Sequence, residues 1–179
     1  MNRKNNMKNG LSLSGGGFRA TLYSLGSLIR LNEVGLMREL NTITSVSGGS
    51  ITAGWLMLNW SKLNFKNNID KPHLFTAENF HEAITEPLLE FCSRDIVGRK
   101  EIFLSKLLPC YSAINSVKSK YNKFLFGDVL LKDIELSHGA PEFIFYGTNL
   151  DTGSRVRIQK NTVRDYNIGI AHGYTLSLA

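Results

Sequence analysis

The chain has 179 residues, 42% hydrophobic and 20% charged, with 21 Lys and Arg against 15 Asp and Glu for a net charge of +6. This is the make-up of one globular domain with a sizeable core, and it excludes a disordered chain and a collagen-like repeat. Two cysteines, Cys92 and Cys110, exclude a disulfide scaffold and read as buried or reduced thiols.

The basic balance favours anionic partners. No zinc-finger spacing or aromatic–basic RNP-like run accompanies it, so nucleic acid is not expected, and an anionic lipid surface suits the charge. The start MNRKNNMKNG leads into no apolar signal core, and the longest apolar stretch, residues 51–58, is too short to span a bilayer. The reading is a cytoplasmic or peripheral-membrane protein.

In chain order, a strand-like run at 11–14 enters the turn Gly15-Gly16-Gly17-Phe18-Arg19-Ala20. A helix follows at about 20–34, with Leu22, Leu25, Leu28, Ile29 and Leu31 on its apolar face and Gly35 as its C-cap. A β-branched strand at 42–46 then enters a second small-residue turn, Ser45-Val46-Ser47-Gly48-Gly49-Ser50. The helix after it carries Ile51, Ala53, Trp55, Leu56, Met57, Leu58 and Trp60, apolar nearly all round, and therefore buried. Parallel strands joined by a helix place both turns at one edge of the sheet.

Each turn has two readings. GGGFRA fits a phosphate-cradling dinucleotide fingerprint, but that use needs an acid closing the second strand, where this chain has Thr44-Ser45-Val46-Ser47. SVSGGS reads either as a helix cap through Ser47 or Ser50, or as a strained strand-to-helix elbow presenting Ser47 as a nucleophile. At the place two residues before Ser47, where the elbow pattern has glycine, stands Ser45.

Further on, 61–80 reads as an exposed loop, and a helix from 78 or 79 to about 92 contains Pro87, which predicts a kink. Residues 93–126 read as a helical insertion. Its segment 117–126 interleaves lysines with aromatics, either a lid facing lipid or an amphipathic helix with a solvated lysine face. A short helix or turn at 129–134 precedes a buried parallel strand at 143–150. The turn Asp151-Thr152-Gly153-Ser154 and a more exposed strand at 155–160 follow. His73, His81 and His138 have no acid or cysteine at ligand spacing, so no metal or other cofactor is assigned. Ser47, Asp151 and His172 obey the Ser…Asp…His order of α/β-hydrolases, yet at most two strands precede the elbow here, and Asp151 has a turn-forming role of its own.

The two turns together, S-GGG-FRA, a helix, then S-x-S-G-G-S opening an apolar helix, resemble the patatin-like phospholipase family. The resemblance covers essentially the whole chain. It implies a three-layer α/β/α fold with a mostly parallel central sheet, and a serine acyl hydrolase acting on phospholipid or other acyl-ester lipids. It implies Ser47 as nucleophile and an oxyanion hole from Gly15, Gly16, Gly17, Phe18 and Arg19, with Gly48 adjoining. The family's Ser–Asp dyad takes its acid from an Asp-Gly-[Gly/Ala] motif; the chain holds no Asp-Gly pair. Residues 1–179 are therefore expected to be a single incomplete domain. Within it, 10–60 carry the two turns, 61–126 a helical insertion or lid, and 127–179 the later strands, ending before the dyad aspartate. A non-catalytic lipid-binding or interaction module of the same fold, and a nucleotide-binding α/β domain, are the alternatives.

Overall fold

The computed structural model describes residues 8–67, 74–96, 113–173 and 175–179, with the side chains at 113 and 114 excepted. The fold is α/β, built on a six-stranded mixed sheet in the order β1-β2-β5-β6-β7-β8. Strands β1 (Asn9–Leu13), β2 (Leu40–Val46) and β5 (Glu142–Thr148) run parallel, and their register aligns Leu13, Ser45 and Phe145 in one row. Strands β6 (Arg155–Gln159), β7 (Thr162–Asp165) and β8 (Gly169–His172) continue from β5 as an antiparallel meander. The parallel strands need long crossovers and the antiparallel ones only tight turns, so the sheet divides where the chain changes from helical connections to hairpins.

Helix α1 (Gly17–Glu33) crosses from β1 to β2, and α2 (Gly48–Asn59) leaves β2. Helix α2 is buried on most of its surface, as its all-round apolarity predicts. Helix α1 differs from expectation: Leu22 is exposed, and the buried stripe includes Thr21, Ser24 and Asn32 beside Leu25 and Leu28. These polar side chains can be buried because they find partners. Thr21 Oγ1 donates to Gly48 O (2.9 Å), and Asn32 exchanges two bonds with the backbone of Ala77 (3.0 and 2.8 Å).

Where 61–80 reads as loop, the structure has a small hairpin of β3 (Phe65–Asn67) and β4 (Phe75–Ala77). Its aromatics are held by the Arg38 guanidinium, 4.3 Å from the Phe75 ring centroid and 5.5 Å from that of Phe65. The irregularity predicted at Pro87 is a π-helical stretch, His81–Thr85, running into α3 (Glu86–Cys92). Proline has no N–H to offer the carbonyl four residues back. Trp55 Nε1 donates to that carbonyl, Ala83 O, at 3.0 Å. Trp60 is in the core, 3% exposed.

Helix α4 (Ala113–Tyr121) ends in a second π-helical turn, Asn122–Phe126, that buries Leu125 and Phe126 while Lys118 and Lys123 stay exposed. A 3-10 turn, Leu131–Asp133, occupies part of the segment read as a short helix. Beyond β8, Leu131 N donates to Leu176 O (2.8 Å) and Leu178 N to Val129 O (3.0 Å), which lays 176–178 against that segment. Cys92 is half-buried, and burial pushes its thiol pKa up to about 11, so it is protonated at neutral pH. Cys110 and His73 lie outside the described residues.

Candidate active site

The end of β2 and the start of α2 meet at Ser47, whose φ of 51° and ψ of −122° make it the one non-glycine residue with positive φ among those described. An L-residue held there stores on the order of 1–3 kcal/mol of strain. What imposes the turn is close backbone packing on the glycine turn. A Cβ on Gly48 would stand 2.2 Å from Gly17 O, and one on Gly49 would stand 2.7 Å from both Leu13 O and Ser14 O. Gly49 N donates to Ser14 O (3.1 Å), stapling the elbow to the end of β1.

The sheet register carries Gly15 to the side of Ser47: a Cβ at Gly15 would lie 3.2 Å from Ser47 Cβ and 3.8 Å from its Oγ. Gly16 and Gly17 adopt φ of 138° and 63°, turning the chain into α1. Thr21 and Thr52, both fully buried, lace the first turns of the two helices, since Thr52 Oγ1 donates to Thr21 O (3.0 Å) and Thr21 Oγ1 to Gly48 O. Ser45 is 3% exposed, and its Oγ accepts from Ser50 Oγ (3.1 Å). That hydrogen bond is why a hydroxymethyl group is accommodated where the elbow pattern has glycine.

A cavity of about 830 Å³ opens beside this junction. Ser47, Gly48, Gly17 and Phe18 line it together, as do Ser50 and Ile51 one turn into α2. Its remaining wall is mainly apolar, with Phe126, Leu131, Phe145, Ile158 and Leu178 among the contributors. Of the predicted site residues, Ser47, Gly17, Phe18 and Gly48 thus face one hollow. Gly15 stands behind Ser47, Gly16 forms the turn, and Arg19 is exposed; none of these three lines the cavity. A row of rings ties the glycine turn to the far wall: Phe18 packs edge-on to Phe91 (5.6 Å), Phe91 on Tyr121 (5.0 Å), and Tyr121 against Phe126 (6.2 Å).

Sequence reasoning missed several lining residues. Arg94 and Asp95, just past α3, line the cavity, and Asp95 is its one acidic side chain among the described residues. Nothing in their local sequence marks them; only the fold brings 94–96 to Ser47's side. The helical 121–126 segment also contributes wall, through Tyr121 and Phe126. Ser47 Oγ makes no hydrogen bond among the described residues. Asp151 and His172 do not line the cavity; Asp151 sits at the β5–β6 turn, and β8 lies four strands from β2, about 19 Å at the usual strand spacing. The Ser47–Asp151–His172 arrangement is therefore not assembled. Among the described residues no cluster of three or more His, Cys, Asp and Glu could hold a metal, and no helix is long and apolar enough to cross a membrane.

No family model matches the chain, and no curated protein matches it by sequence. Solved structures do. Human GIVD cytosolic phospholipase A2 in complex with methyl gamma-linolenyl fluorophosphonate superimposes with a TM-score of 0.59 at 16% identity. The same enzyme with that inhibitor and terbium chloride gives 0.55 at 17% identity. Each match covers 91% of this chain and 24% of the other, so the chain spans about a quarter of the length of the enzyme it resembles. The likeness shows a shared fold: an α/β domain of the kind found in a cytosolic phospholipase A2.

Proposed function

We propose that the chain carries the nucleophile and oxyanion-binding turns of a patatin-like serine acyl hydrolase acting on phospholipid or other acyl-ester lipids. The observation that carries this reading is the strained Ser47 facing the same apolar cavity as Gly17, Phe18 and Gly48. Ser47 Oγ attacks the acyl carbonyl, the alcohol leaves, and water then cleaves the acyl-enzyme. The amides of Gly17 and Phe18, joined by that of Gly48, receive the developing oxyanion, and the N-terminus of α2 adds its partial positive charge. Losing one such donor typically costs about a hundredfold in rate or more. Anionic membrane is the surface on which such a substrate is met.

The proton of Ser47 needs an acceptor, and general-base catalysis supplies about 10²–10⁴ in rate. The family's acid, expected in an Asp-Gly-Gly or Asp-Gly-Ala motif, is not among the 179 residues. The chain alone is therefore expected to turn esters over feebly and to be phosphonylated at Ser47 only slowly, on prolonged incubation, because both steps lose the same proton acceptor. Methyl gamma-linolenyl fluorophosphonate, the inhibitor bound by the structural neighbour, tests this. Mass spectrometry should find the adduct on Ser47 and none on the Ser47→Ala variant. No adduct on the native chain would overturn the nucleophile assignment.

The unbonded Ser47 hydroxyl favours a second reading, a lipid-binding module of the same fold without catalysis. That reading expects the inhibitor to bind reversibly with no adduct. A nucleotide-binding domain would instead be protected from thermal unfolding by a dinucleotide.

A further inference from the structure

We propose that the tips of the β5–β6 and β7–β8 hairpins form a docking surface for an anionic phospholipid bilayer. Three large apolar side chains stand there almost fully in water: Leu150 is 94% exposed, Tyr166 92% and Ile168 75%. Single exposed apolar residues are ordinary, but a cluster on projecting turns marks a contact surface.

The two tips are clasped by one buried carboxylate. Asn149 Nδ2 (3.0 Å) and Ser154 Oγ (2.9 Å), from the first turn, donate to Asp165 Oδ2. The amides of Asn167 (2.8 Å) and Ile168 (3.2 Å), from the second, donate to Oδ1. Leu150, Tyr166 and Ile168 are thereby presented on one fixed platform instead of two independent loops.

The clasp also favours lipid over a polypeptide partner. A strand adding to this surface would need free backbone donors, and those of Asn167 and Ile168 are already used on Asp165. A turn whose amides are satisfied internally enters a headgroup layer without leaving them unpaired. Tyrosine, apolar with a polar tip, is a side chain suited to that layer.

Position and charge agree. Strand β5 runs parallel to β2, so its outgoing turn leaves the sheet at the same end as Ser47. Arg155, paired across from Thr148, stacks 5.2 Å over Tyr146, which lines the Ser47 cavity. Arg164 is exposed on β7, but with Arg155 it only offsets the exposed Asp151 beside Leu150 and the clasping Asp165, so the attraction to an anionic leaflet comes from the +6 of the chain as a whole. Each cation near an anionic leaflet adds to the attraction. The surface deepens the lipid reading by placing the cavity beside the bilayer, but it stands on residues that take no part in chemistry at Ser47.

Co-sedimentation of the 179-residue chain with sucrose-loaded vesicles tests it, using phosphatidylcholine alone and phosphatidylcholine with phosphatidylserine. The chain should sediment with vesicles, more strongly when phosphatidylserine is present. Leu150→Asp with Ile168→Asp should lower the partition by about tenfold or more, the scale set by losing a buried aliphatic side chain. Thermal unfolding of that variant should match the native chain, since neither side chain is buried. Ser47→Ala should bind vesicles normally, and a native chain that takes no inhibitor adduct yet still sediments with vesicles would sink the hydrolase reading and leave this one standing. The proposal is overturned if the native chain stays in the supernatant, or if the double variant sediments like it. It is equally overturned if the native chain runs as a dimer that the double variant breaks, which would make the tips a self-association surface.

Discussion

The two halves of the sheet are built from the same kinds of residue but to different ends. In the parallel half, β1, β2 and β5 bury Leu13, Ile43, Ser45 and Phe143, and backbone atoms of separate segments approach so closely that only glycine fits at positions 48 and 49. In the antiparallel half, β8 is exposed along its length, and order at the tips comes from one carboxylate and its four donors. Rigidity at Ser47 is steric and insensitive to pH. Rigidity at the hairpin tips is electrostatic and titratable.

The largest effect is expected where the steric half is attacked directly. Gly48→Ala would push a methyl group to 2.2 Å from Gly17 O, a backbone atom that cannot swing aside. It should abolish labelling of Ser47 and lower the thermal midpoint sharply, while the hairpin tips keep their vesicle binding if the chain still folds. A variant that labels normally would show that the elbow is not held by this contact.

Next comes the lacing between the helices. Thr21→Val keeps the shape but removes the hydroxyl that donates to Gly48 O, leaving that buried carbonyl short of a partner. The cost should be about 1–3 kcal/mol of stability in urea unfolding, with a slower reaction at Ser47. Stability unchanged within error would mean that this bond is replaceable.

The titratable half should respond to acid instead. The hydrogen bonds from Asn149, then those from Asn167, Ser154 and Ile168, hold the Asp165 carboxyl below the usual aspartate range in spite of burial. A folded-state pKa depressed in this way gives stabilisation that is fully present above the unfolded pKa, about 3.9, and is lost as pH falls through the lower folded value. Protection of the Asn167 and Ile168 amides, relative to their intrinsic exchange rates, should therefore fall as pH drops below about 3.9, and Asp165→Asn should show lost protection at neutral pH, with labelling of Ser47 unchanged. If exchange at these amides is indifferent to both, the clasp does not order the tips.

The smallest effect is expected at Ser45. Ser45→Gly restores the residue that the elbow pattern has, removes the partner of Ser50, and should cost about 1 kcal/mol with little change at Ser47. Urea unfolding with inhibitor labelling measures both.

The local pattern determined much of the site-bearing half. The strand–turn–helix repeat around GGGFRA and SVSGGS needs only chain order and the parallel crossover rule to bring both turns to one edge, and small residues at 48 and 49 report crowding that any fold using this elbow must have. The all-round apolar α2 announces its own burial in the same way. The amphipathic reading of α1 succeeded less well, because it counted leucines and could not see that Thr21 and Asn32 would be satisfied by Gly48 and Ala77, 27 and 45 residues away. The same limit applies to the hairpin within 61–80, whose short strands depend on Arg38 and Asn32 outside the segment. Asp95 and Arg94 on the cavity wall, and the clasp at Asp165, are likewise meetings of residues far apart in the chain. What the sequence by itself determined was whatever lies within one turn or one crossover, where sterics and periodicity act. Which polar side chains could be buried, and which distant carboxylate faces Ser47's cavity, only the tertiary structure decided, because a hydrogen bond or a shared hollow depends on where both partners end up.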